Sequence, residues 1–372
     1  MKILILCTSP DLGGLELYAE QTARFLERRE HECHLALLDE GKLASRCEPG
    51  EFPTLHLGAH SHMLPLRSAV RLARYLARER IELIHMHWGK DLNLAALALV
   101  LLRLARWGRR GPRLLYTRHM GIQRSKKDPY HRFAFRQVDR FLAVSELVLR
   151  GARKHLPLAA DKIDLLYPGV ALEGASARES ADSPAPPSAP LRVGMVGRIQ
   201  EGKGQHLLVE ALHALAEQGI DAHATFVGHS MGDDYMQELE RSTAALGLTE
   251  RVSFLGFVEN PTRMMPEFDV VVLLTDCETF GLVLVEAMRC GVAVIGTDAG
   301  GVPEIIQHES TGLLVPPRDS AALTRELARL HRDADLRQRL AQAGKERADR
   351  MFDRETQYAK LESAMSDLVA AR

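Results

Sequence analysis

Residues 191–204, LRVGMVGRIQEGKG, contain the pattern most informative about the fold. The first residues are mostly apolar, as in a strand that is buried on both faces of a sheet. A glycine-rich turn follows from Gly197 to Gly204, and a stretch with helical periodicity comes next. A strand, a turn and a helix in this order form the unit from which parallel sheets are built.

The same alternation of short apolar runs and helix-period stretches continues on both sides of this unit. Strands are predicted at residues 2–6, 35–38, 83–86, 114–116, 140–144, 191–197, 225–228, 252–255, 270–274 and 292–296. In the first half, the helices predicted between them cover residues 14–29, 66–80, 92–106 and 145–155. The pattern therefore predicts an α/β protein whose parallel sheets are covered by helices on both faces.

Residues 174–190, GASARESADSPAPPSAP, interrupt this alternation. Ala, Ser and Pro occupy 13 of the 17 positions, which is too little large apolar surface to build a core, so we predict a linker. It separates a Rossmann-like domain at 1–173 from a second one at 191–353. Because such sheets bind ligands at the carboxyl ends of their strands, we expect an active site in a cleft between two facing domains.

The composition excludes several classes of protein. With 372 residues and 46% hydrophobic content, the chain can form two cores and is not globally disordered. Its five cysteines form no C-x-x-C pair and lie mostly in apolar segments, which favours a reduced, cytoplasmic compartment. The longest apolar run, residues 94–102, is about half the length of a membrane span. A net charge of −1 argues against a nucleic-acid partner.

This near-neutral total hides two halves of opposite charge. Residues 1–173 carry 28 Lys and Arg against 19 Asp and Glu, a formal charge of +9, so residues 174–372 carry −10. Many of the positive charges form a helical stripe and a second cluster, namely Arg67, Arg71, Arg74 and Arg78, and Arg103, Arg106, Arg109, Arg110 and Arg113. These are either solvated surfaces or a docking surface for anionic lipid or for a phosphorylated, lipid-linked acceptor.

The turn 197–204, GRIQEGKG, nearly matches the phosphate loop of nucleotide triphosphatases, G-x-x-x-x-G-K-[ST]. Gly204 replaces the hydroxyl residue that would bind Mg²⁺, which disfavours that function. Arg198 and Lys203 still place two cations at the carboxyl edge of the sheet, where they can bind a diphosphate. A solvated glycine-rich turn remains the alternative interpretation.

The segment 277–288, CETFGLVLVEAM, joins a buried strand to a helix that opens near Phe280 and Gly281. The free N–H groups at such an opening attract anions. Glu278, just outside the helix, can bind hydroxyl groups. Glu286 lies on an otherwise apolar helix, so it is either a binding group for ribose hydroxyls or a partly exposed helix glutamate.

Two pairs of glycines follow other predicted strands. Gly300 and Gly301 lie in DAGGVPE at 298–304, and Gly13 and Gly14 open the first helix in GGLE at 13–16. Glycine pairs let a ligand approach the backbone closely. The histidines do not predict a metal site, because the HECH sequence at 31–34 lacks the spacing of a helical zinc pair. We therefore expect neither a metal nor a cofactor.

Together these segments resemble the family 4 retaining glycosyltransferases of GT-B fold. The segments that carry the resemblance are GGLE at 13–16, GRIQEGKG at 197–204, ETFGLVLVEAM at 278–288 and GTDAGGVPEII at 296–306. The resemblance covers nearly the whole chain and is weakest between residues 30 and 110. It implies two facing Rossmann-like domains, an acceptor domain at 1–173 joined by the C-terminal helix 354–372, and a nucleotide-sugar domain at 191–353.

In the C-terminal domain the resemblance implies that Arg198 and Lys203 bind the diphosphate of the donor. Glu278 would bind hydroxyls of the sugar, Glu286 would bind the ribose, and the base would lie against the loop GFVE at 256–259, which includes Val258. At the opening of the helix, the backbone N–H groups of Phe280 and Gly281 would assist Glu278 in binding the sugar. Those of Leu282 and Val283 would bind the phosphate.

In the N-terminal domain the resemblance implies that Gly14 closes over the phosphates. His119 matches the position where this family often has a histidine near the transferred sugar. His87 and Lys90 follow a predicted strand, and Arg118 precedes His119. We place these three residues among the acceptor contacts.

The resemblance implies a retaining, metal-independent, hexosyl-type glycosyltransferase with a nucleoside-diphosphate sugar as co-substrate. The leaving phosphate would accept the acceptor's proton during same-face attack, so neither glutamate is expected to act as a nucleophile. The expected acceptor is a glycan or glycolipid of the bacterial cell envelope, such as lipopolysaccharide core. The protein is expected in the cytoplasm, at the inner face of the plasma membrane. The alternatives are a non-catalytic nucleotide-sugar-binding or partner-binding module and a P-loop-like NTPase.

Overall fold

The computed structural model describes residues 1–48, 50–105, 111–172 and 189–371. The chain forms two compact units, one of Met1–Pro168 with Glu355–Arg372 and one of Gly169–Arg354. The linker predicted at 174–190 lies outside the described residues except for its last two positions, and so do three of the clustered arginines, Arg106, Arg109 and Arg110.

The first unit is built on one parallel sheet. Its strands in the described residues are β1 (Lys2–Cys7), β2 (Glu32–Leu38), β3 (Thr54–Leu57), β4 (Leu83–Met86), β5 (Arg113–Arg118), β6 (Arg140–Ala143) and β7 (Ile163–Leu165), in the order β3-β2-β1-β4-β5-β6-β7. Its helices there are α1 (Gly14–Arg28), α2 (Leu66–Arg78), α3 (Leu92–Ala105), α4 (Pro129–Phe135), α5 (Glu146–His155) and α12 (Arg354–Ala370).

The sheet of the first unit has an apolar core on each face. Because side chains alternate along a strand, Leu4 and Leu6 pack in one core with α2 and α3, whereas Ile3 and Ile5 pack in the other with α1 and α12. From α12 this second core contains Tyr358, Leu361 and Met365, all fully buried. The C-terminal helix is thus part of the first unit.

The second unit repeats the architecture. Its strands in the described residues are β8 (Leu191–Val196), β9 (Ala222–Val227), β10 (Val252–Phe254), β11 (Val270–Leu273), β12 (Ala293–Thr297) and β13 (Leu313–Val315), all parallel, in the order β10-β9-β8-β11-β12-β13. Its helices there are α6 (Gln205–Glu217), α7 (Asp233–Ala245), α8 (Leu282–Arg289), α9 (Val302–Ile305), α10 (Ser320–Arg332) and α11 (Ala334–Phe352). The predicted α/β class with parallel, Rossmann-like sheets is confirmed.

Three strands, β3, β7 and β13, and one helix of the first unit, α4, are missing from the prediction. In the second unit, helices α9, α10 and α11 had no predicted bounds. The three strands have three or four residues each and lie at the edges of their sheets. An edge strand needs little apolar surface, so its sequence lacks the continuous apolar run that marked the central strands.

In each sheet the strand order reverses once, between β1 and β4 and between β8 and β11. Ligands of parallel sheets bind beyond the carboxyl ends of the strands beside such a reversal. In the second unit, the loops at that edge are 197–204 and 274–281, which contain the segments singled out in the sequence. No helix in the described part of the chain has the length and hydropathy needed to cross a bilayer.

Candidate functional site

The turn after β8 is closed by a contact with the loop after β11. Gly204 caps α6 with a φ of 81°, and a Cβ atom at this position would lie 2.4 Å from the carbonyl oxygen of Leu274. The backbone N–H of Asp276 donates to the carbonyl oxygen of Gly202 at 3.0 Å, and the hydroxyl of Thr275 contacts the same oxygen at 3.2 Å. The two loops therefore form one unit.

Within this unit the side chains of Lys203 and Glu278 form an ion pair. The Nζ of Lys203 lies 2.9 Å from Oε2 of Glu278, and both side chains are about a quarter exposed. The other carboxylate oxygen, Oε1, accepts a hydrogen bond from the N–H of Thr279 at 3.1 Å. Glu278 is therefore held in one orientation while its carboxylate stays accessible.

The glycine pair after β12, Gly300 and Gly301, packs against the backbone of Glu278. The N–H of Gly301 donates to the carbonyl oxygen of Glu278 at 2.8 Å. A Cβ at Gly300, which has a φ of 64°, would lie 2.1 Å from that same oxygen, and a Cβ at Gly301 would lie 2.3 Å from the carbonyl oxygen of Thr279. The pair thus serves the close approach of two protein segments.

Helix α8 begins beside this carboxylate with its N-terminus uncapped. Gly281 is the N-cap residue, with a φ of 101° and no side chain to accept from the first turn. The N–H groups of Leu282 and Val283 have no intrahelical acceptor, so they can bind an anion. Phe280 is buried and packs edge-on against Phe352 at 5.4 Å between ring centroids, which fixes the helix opening.

Glu286 lies one turn into α8, among apolar residues. Its side chain is partly buried, and its carboxylate makes no hydrogen bond to any of the described residues. Burial raises the pKa of Glu286 to about 7, so this carboxyl holds its proton far more readily than a glutamate in water. A group with spare hydrogen-bonding capacity in this position suits a ligand hydroxyl.

A pocket of about 160 Å³ opens beside the turn, within the second unit. Its lining residues come from the carboxyl ends of β8 and β9 and from the loop after β10, and they are Val196, Gly197, Arg198, Val227, Gly228, His229, Phe257, Val258 and Pro261. The guanidinium of Arg198 is exposed and makes no hydrogen bond to the described residues. The predicted base loop, 256–259, and the predicted diphosphate cation therefore border one cavity.

Two lining residues add to this set. Phe257 is 70% exposed, and its ring centroid lies 6.4 Å from that of His229. His229 was not among the residues predicted for the site. It lies two residues beyond the end of β9, the neighbour of β8 in the sheet, so a prediction of strand order would have placed it at this edge.

The candidate residues of the first unit lie at the corresponding edge of their own sheet. Gly14 opens α1 after β1, His87 and Lys90 follow β4, and Arg118 and His119 end and follow β5. Lys90 lies over the ring of Trp88, with its Nζ 5.1 Å from the ring centroid. These five positions are brought together at the carboxyl ends of three adjacent strands.

Three histidines form a packed cluster at this edge. The rings of His85 and His87 lie 4.0 Å apart between centroids, and Nδ1 of His87 is 3.3 Å from Nε2 of His119. The ring of Tyr18 packs edge-on against both His87 and His119. Burial lowers the pKa of His119 to about 3, aided by Arg118, and lowers the pKa of His87 well below its usual value. Both rings are therefore neutral near pH 7.

Arg118 is engaged within its own loop. Its guanidinium donates to the carbonyl oxygen of Met120 and to the hydroxyl of Tyr116, each at 2.9 Å. A Cβ at Gly89 would lie 2.1 Å from Nη1 of Arg118, so glycine at 89 makes room for this side chain. These contacts give Arg118 a structural role in the loop that carries His119, and its contact with an acceptor stays a prediction.

Two family models match the chain. The model described as Glycosyltransferase Family 4 matches residues 12–173, and the model described as Glycosyl transferases group 1 matches residues 177–347. Between them the two matches cover most of the chain and leave out residues 1–11, 174–176 and 348–372.

Two curated relatives show how far the similarity extends. The chain is 33% identical over 150 residues to N-acetyl-alpha-D-glucosaminyl L-malate synthase of Bacillus anthracis, a stretch that covers 40% of this chain and 39% of that protein. It is 26% identical to D-inositol 3-phosphate glycosyltransferase of Saccharomonospora viridis, over 100% of this chain and 95% of that protein. The stronger match thus spans less than half the length of its relative.

Among solved structures, the chain is similar to HepE from Anabaena. The complex of that protein with UDP aligns with a TM-score of 0.82 at 25% identity, over 99% of this chain and 100% of that chain. The complex with UDP-glucose aligns with a TM-score of 0.79, also at 25% identity and over the same shares of the two chains.

Proposed function

Since the chain belongs to the family 4 glycosyltransferases of GT-B fold, we propose that it transfers a hexose from a nucleoside-diphosphate sugar to a glycan or glycolipid acceptor. The transfer retains the anomeric configuration and requires no metal ion or cofactor. The observation that carries this proposal is the pocket beside Arg198, together with the Lys203–Glu278 pair at the end of the same turn.

The donor diphosphate is the group that needs stabilisation, because cleavage of the anomeric bond leaves negative charge on it. Arg198, Lys203 and the open N-terminus of α8 supply positive charge on neighbouring loops of one sheet edge. Fixed charges and N–H dipoles aimed at a leaving group lower the barrier of such a step. They supply the stabilisation that a divalent cation provides in other enzymes.

Glu278 is suited to hydrogen-bond the hydroxyls of the sugar. Its carboxylate is already bound by Lys203 and by the N–H of Thr279, which fixes its direction and weakens it as a nucleophile. In the proposed reaction the acceptor attacks the face that the phosphate leaves, and the leaving phosphate takes the acceptor's proton. No glycosyl-enzyme bond is formed, in contrast to retaining glycosidases.

The geometry disfavours the P-loop NTPase alternative. A phosphate loop needs Ser or Thr at position 204 to hold Mg²⁺. The contact between Gly204 and the carbonyl oxygen of Leu274 leaves no room for a β-carbon, and the φ of 81° favours glycine. The second alternative is a module that binds a nucleotide sugar without transferring it. It would bind the donor in the same way as the proposed enzyme, so only a measurement of sugar transfer distinguishes the two.

A direct test uses the full chain with a panel of UDP, GDP and ADP sugars. Ligand binding raises the melting temperature, so a thermal-shift screen selects the donor, and UDP-glucose is the first candidate because HepE binds it. Transfer of labelled sugar to a bacterial envelope glycolipid extract is then followed with and without EDTA. We expect transfer in both conditions, with the α- or β-linkage of the donor preserved in the product.

Variants at the site separate catalysis from binding. Glu278→Gln and Lys203→Ala should each lower kcat by roughly 100-fold or more, because each removes a charge from the reacting centre. Lys345→Ala is the matched control, since Lys345 also pairs with a carboxylate, that of Asp349 at 2.6 Å, on α11. Undiminished transfer by the Glu278 or Lys203 variant would overturn the assignment of these residues to the site. Donor binding by the unaltered protein without any sugar transfer would favour the binding module.

The predicted ribose contact has its own test. Glu286→Ala should weaken the binding of the bare nucleoside diphosphate, measured by calorimetry, and should change kcat much less. An unaltered nucleotide affinity would contradict the assignment of Glu286 to the ribose.

The proposal also includes contact with an anionic membrane at the inner face of the plasma membrane, where a lipid-linked acceptor such as lipopolysaccharide core is assembled. An exposed surface on α2 and the loop before it combines apolar and basic side chains, and we call it the α2 surface. Its members are Met63, Leu64, Leu66, Arg67, Val70, Arg71 and Arg74, all exposed. Apolar side chains between arginines suit the interface of an anionic bilayer.

Co-sedimentation with vesicles tests this contact. The chain should bind vesicles that contain phosphatidylglycerol more than pure phosphatidylcholine, and salt should weaken the binding. The double variant Arg67→Glu and Arg74→Glu should abolish it. Arg241→Glu with Arg263→Glu makes the same change of charge on exposed positions of the second unit and serves as the control. Equal losses in the two double variants would show that only total charge matters and would refute a role for the α2 surface.

A further inference from the structure

The histidine cluster of the first unit contains an asymmetry that the proposed function does not use. His87 is fully buried, and its two ring nitrogens have different surroundings. Nδ1 lies 3.3 Å from Nε2 of His119, whereas Nε2 of His87 is buried without a hydrogen-bond partner in the described residues. A neutral imidazole carries one proton, and its position depends on these surroundings.

The hydrogen-bonding partners decide where this proton lies. On Nδ1 it is donated to His119, but on Nε2 it would be a buried N–H without an acceptor, which costs more free energy than a lone pair without a donor. Nε2 of His119 then accepts the bond, so the single proton of His119 must be on its own Nδ1. His119 is partly exposed, and its Nδ1 makes no hydrogen bond within the described residues.

We infer that His87 is a positioning residue that fixes the tautomer of His119, so that His119 presents its Nδ1–H as a hydrogen-bond donor to an oxygen of the transferred sugar. The inference rests on the proposed function for the identity of that oxygen. It assigns His119 the role of a neutral donor, and it excludes Nε2 of His119 as a catalytic base because that atom is occupied by His87. The edge-on ring of Tyr18 keeps both imidazoles in this orientation.

The neighbouring His85 provides an internal reference with the opposite tautomer. Its Nε2 lies 2.8 Å from the hydroxyl oxygen of Thr117, while its Nδ1 is buried without a partner. The same reasoning therefore puts the proton of His85 on Nε2. Two histidines separated by one residue and packed ring to ring are thus expected to be protonated on different nitrogens.

Long-range proton–nitrogen correlation spectra of the ¹⁵N-histidine-labelled full chain measure these tautomers directly, without substrate. Signals are assigned with single variants of the three histidines. We expect Nδ1–H for His87 and His119 and Nε2–H for His85. In His87→Leu the tautomer of His119 should become mixed. A proton on Nε2 of His119 in the unaltered protein would overturn the inference.

Kinetics with the donor identified by thermal shift provide the functional half of the test. His87→Leu should lower kcat roughly 10- to 100-fold with little change in KM for the donor, because the ring of His119 is misoriented while the donor site in the second unit is intact. His87→Asn should restore most of kcat, since its amide can donate from near the position of Nδ1. In a His119→Ala background, His87→Leu should cause no further loss.

His85→Leu is the matched control, since it removes a buried ring of the same cluster that makes no bond to His119. If it lowers kcat as much as His87→Leu does, the effect is one of packing and the positioning role is refuted. Failure of the proposed function would look different. The unaltered protein would transfer no sugar although the three tautomers agreed with expectation.

Discussion

Glu278 and Glu286 lie eight positions apart in one segment, and the tertiary structure gives them opposite surroundings. The carboxylate of Glu278 is bound by a lysine and a backbone N–H beside an exposed helix terminus. The carboxyl of Glu286 has apolar neighbours on α8, and its pKa is raised to about 7 by burial. Glu278 is therefore held as the carboxylate partner of a cation, whereas Glu286 is buried at a cost in free energy that a bound ligand can offset.

The raised pKa of Glu286 predicts a specific dependence of stability on pH. In the unfolded chain this carboxyl ionises near pH 4.5, and in the folded protein near pH 7. Between these values ionisation stabilises only the unfolded state, so stability falls as the pH rises and is constant above the folded pKa. The free energy of unfolding of Glu286→Gln, minus that of the unaltered chain, should therefore increase by about 1–3 kcal/mol over this window.

Urea denaturation at a series of pH values measures this difference. Glu309 is the matched control. Arg329 lowers the pKa of Glu309, so its contribution to stability changes with pH in the opposite direction. Replacing Glu309 by Gln should remove stability that is present above the unfolded pKa and lost in acid. A flat difference for Glu286→Gln across the window would contradict the burial of that carboxyl.

Helices, strands and their loops could be placed from the sequence wherever a strand is central in its sheet. The C-terminal helix predicted at 354–372 was found at Arg354–Ala370, and the strand at 83–86 was found at Leu83–Met86. Of the four edge strands, only β10 was predicted, at 252–255, and the apolar pattern of the other three was too short to predict a strand. The glycine pair Gly300 and Gly301 was expected to let a ligand approach, but in this structure it lets the loop of Glu278 approach.

This packing of loop on loop predicts the effect of one added methyl group. Gly300→Ala would place its Cβ 2.1 Å from the carbonyl oxygen of Glu278, so the loop must move and the Lys203–Glu278 pair must separate or reorient. We expect a loss of transfer of roughly 100-fold, because a displacement of about 1 Å at a reacting group has that effect. The measurement is kcat with the selected donor.

Gly219→Ala separates this displacement from backbone strain. Gly219 also has a positive φ, 73°, but its Cβ would meet no atom within 4 Å. Both variants should lose about 1 kcal/mol of stability from the strained backbone, whereas only Gly300→Ala should lose transfer. Comparable activities of the two variants would argue against the support of Glu278 by the glycine pair.

At the scale of the molecule, α12 closes one of the two cores of the first unit although it comes after the whole second unit in the chain. Its buried residues, Tyr358, Leu361 and Met365, share that core with Ile3 and Phe25. The charge count of +9 for residues 1–173 and −10 for residues 174–372 follows the order of the sequence instead, and it places α12 in the acidic half. Stability of the first unit therefore depends on residues at both ends of the sequence.

Leu361→Ala should consequently destabilise the first unit by about 2–5 kcal/mol, the usual cost of a cavity at a fully buried leucine. Hydrogen exchange resolved by segment should show faster opening of residues 1–168 and 355–371 and little change in the second unit. Lys360→Ala, at the exposed neighbouring position of the same helix, is the control. Equal acceleration in both units would contradict the assignment of α12 to the first.

The α/β class, the central strands and the segments at their carboxyl ends could be predicted from the sequence, because the periodicity of apolar residues and the positions of glycines are local properties of the chain. The pairing of Lys203 with Glu278, the position of His229 beside the pocket of Arg198 and the contact of His87 with His119 depend on the tertiary structure. These partners are separated by between about 30 and 75 positions. Strand order and loop packing bring them together, and neither is encoded in any single stretch of residues.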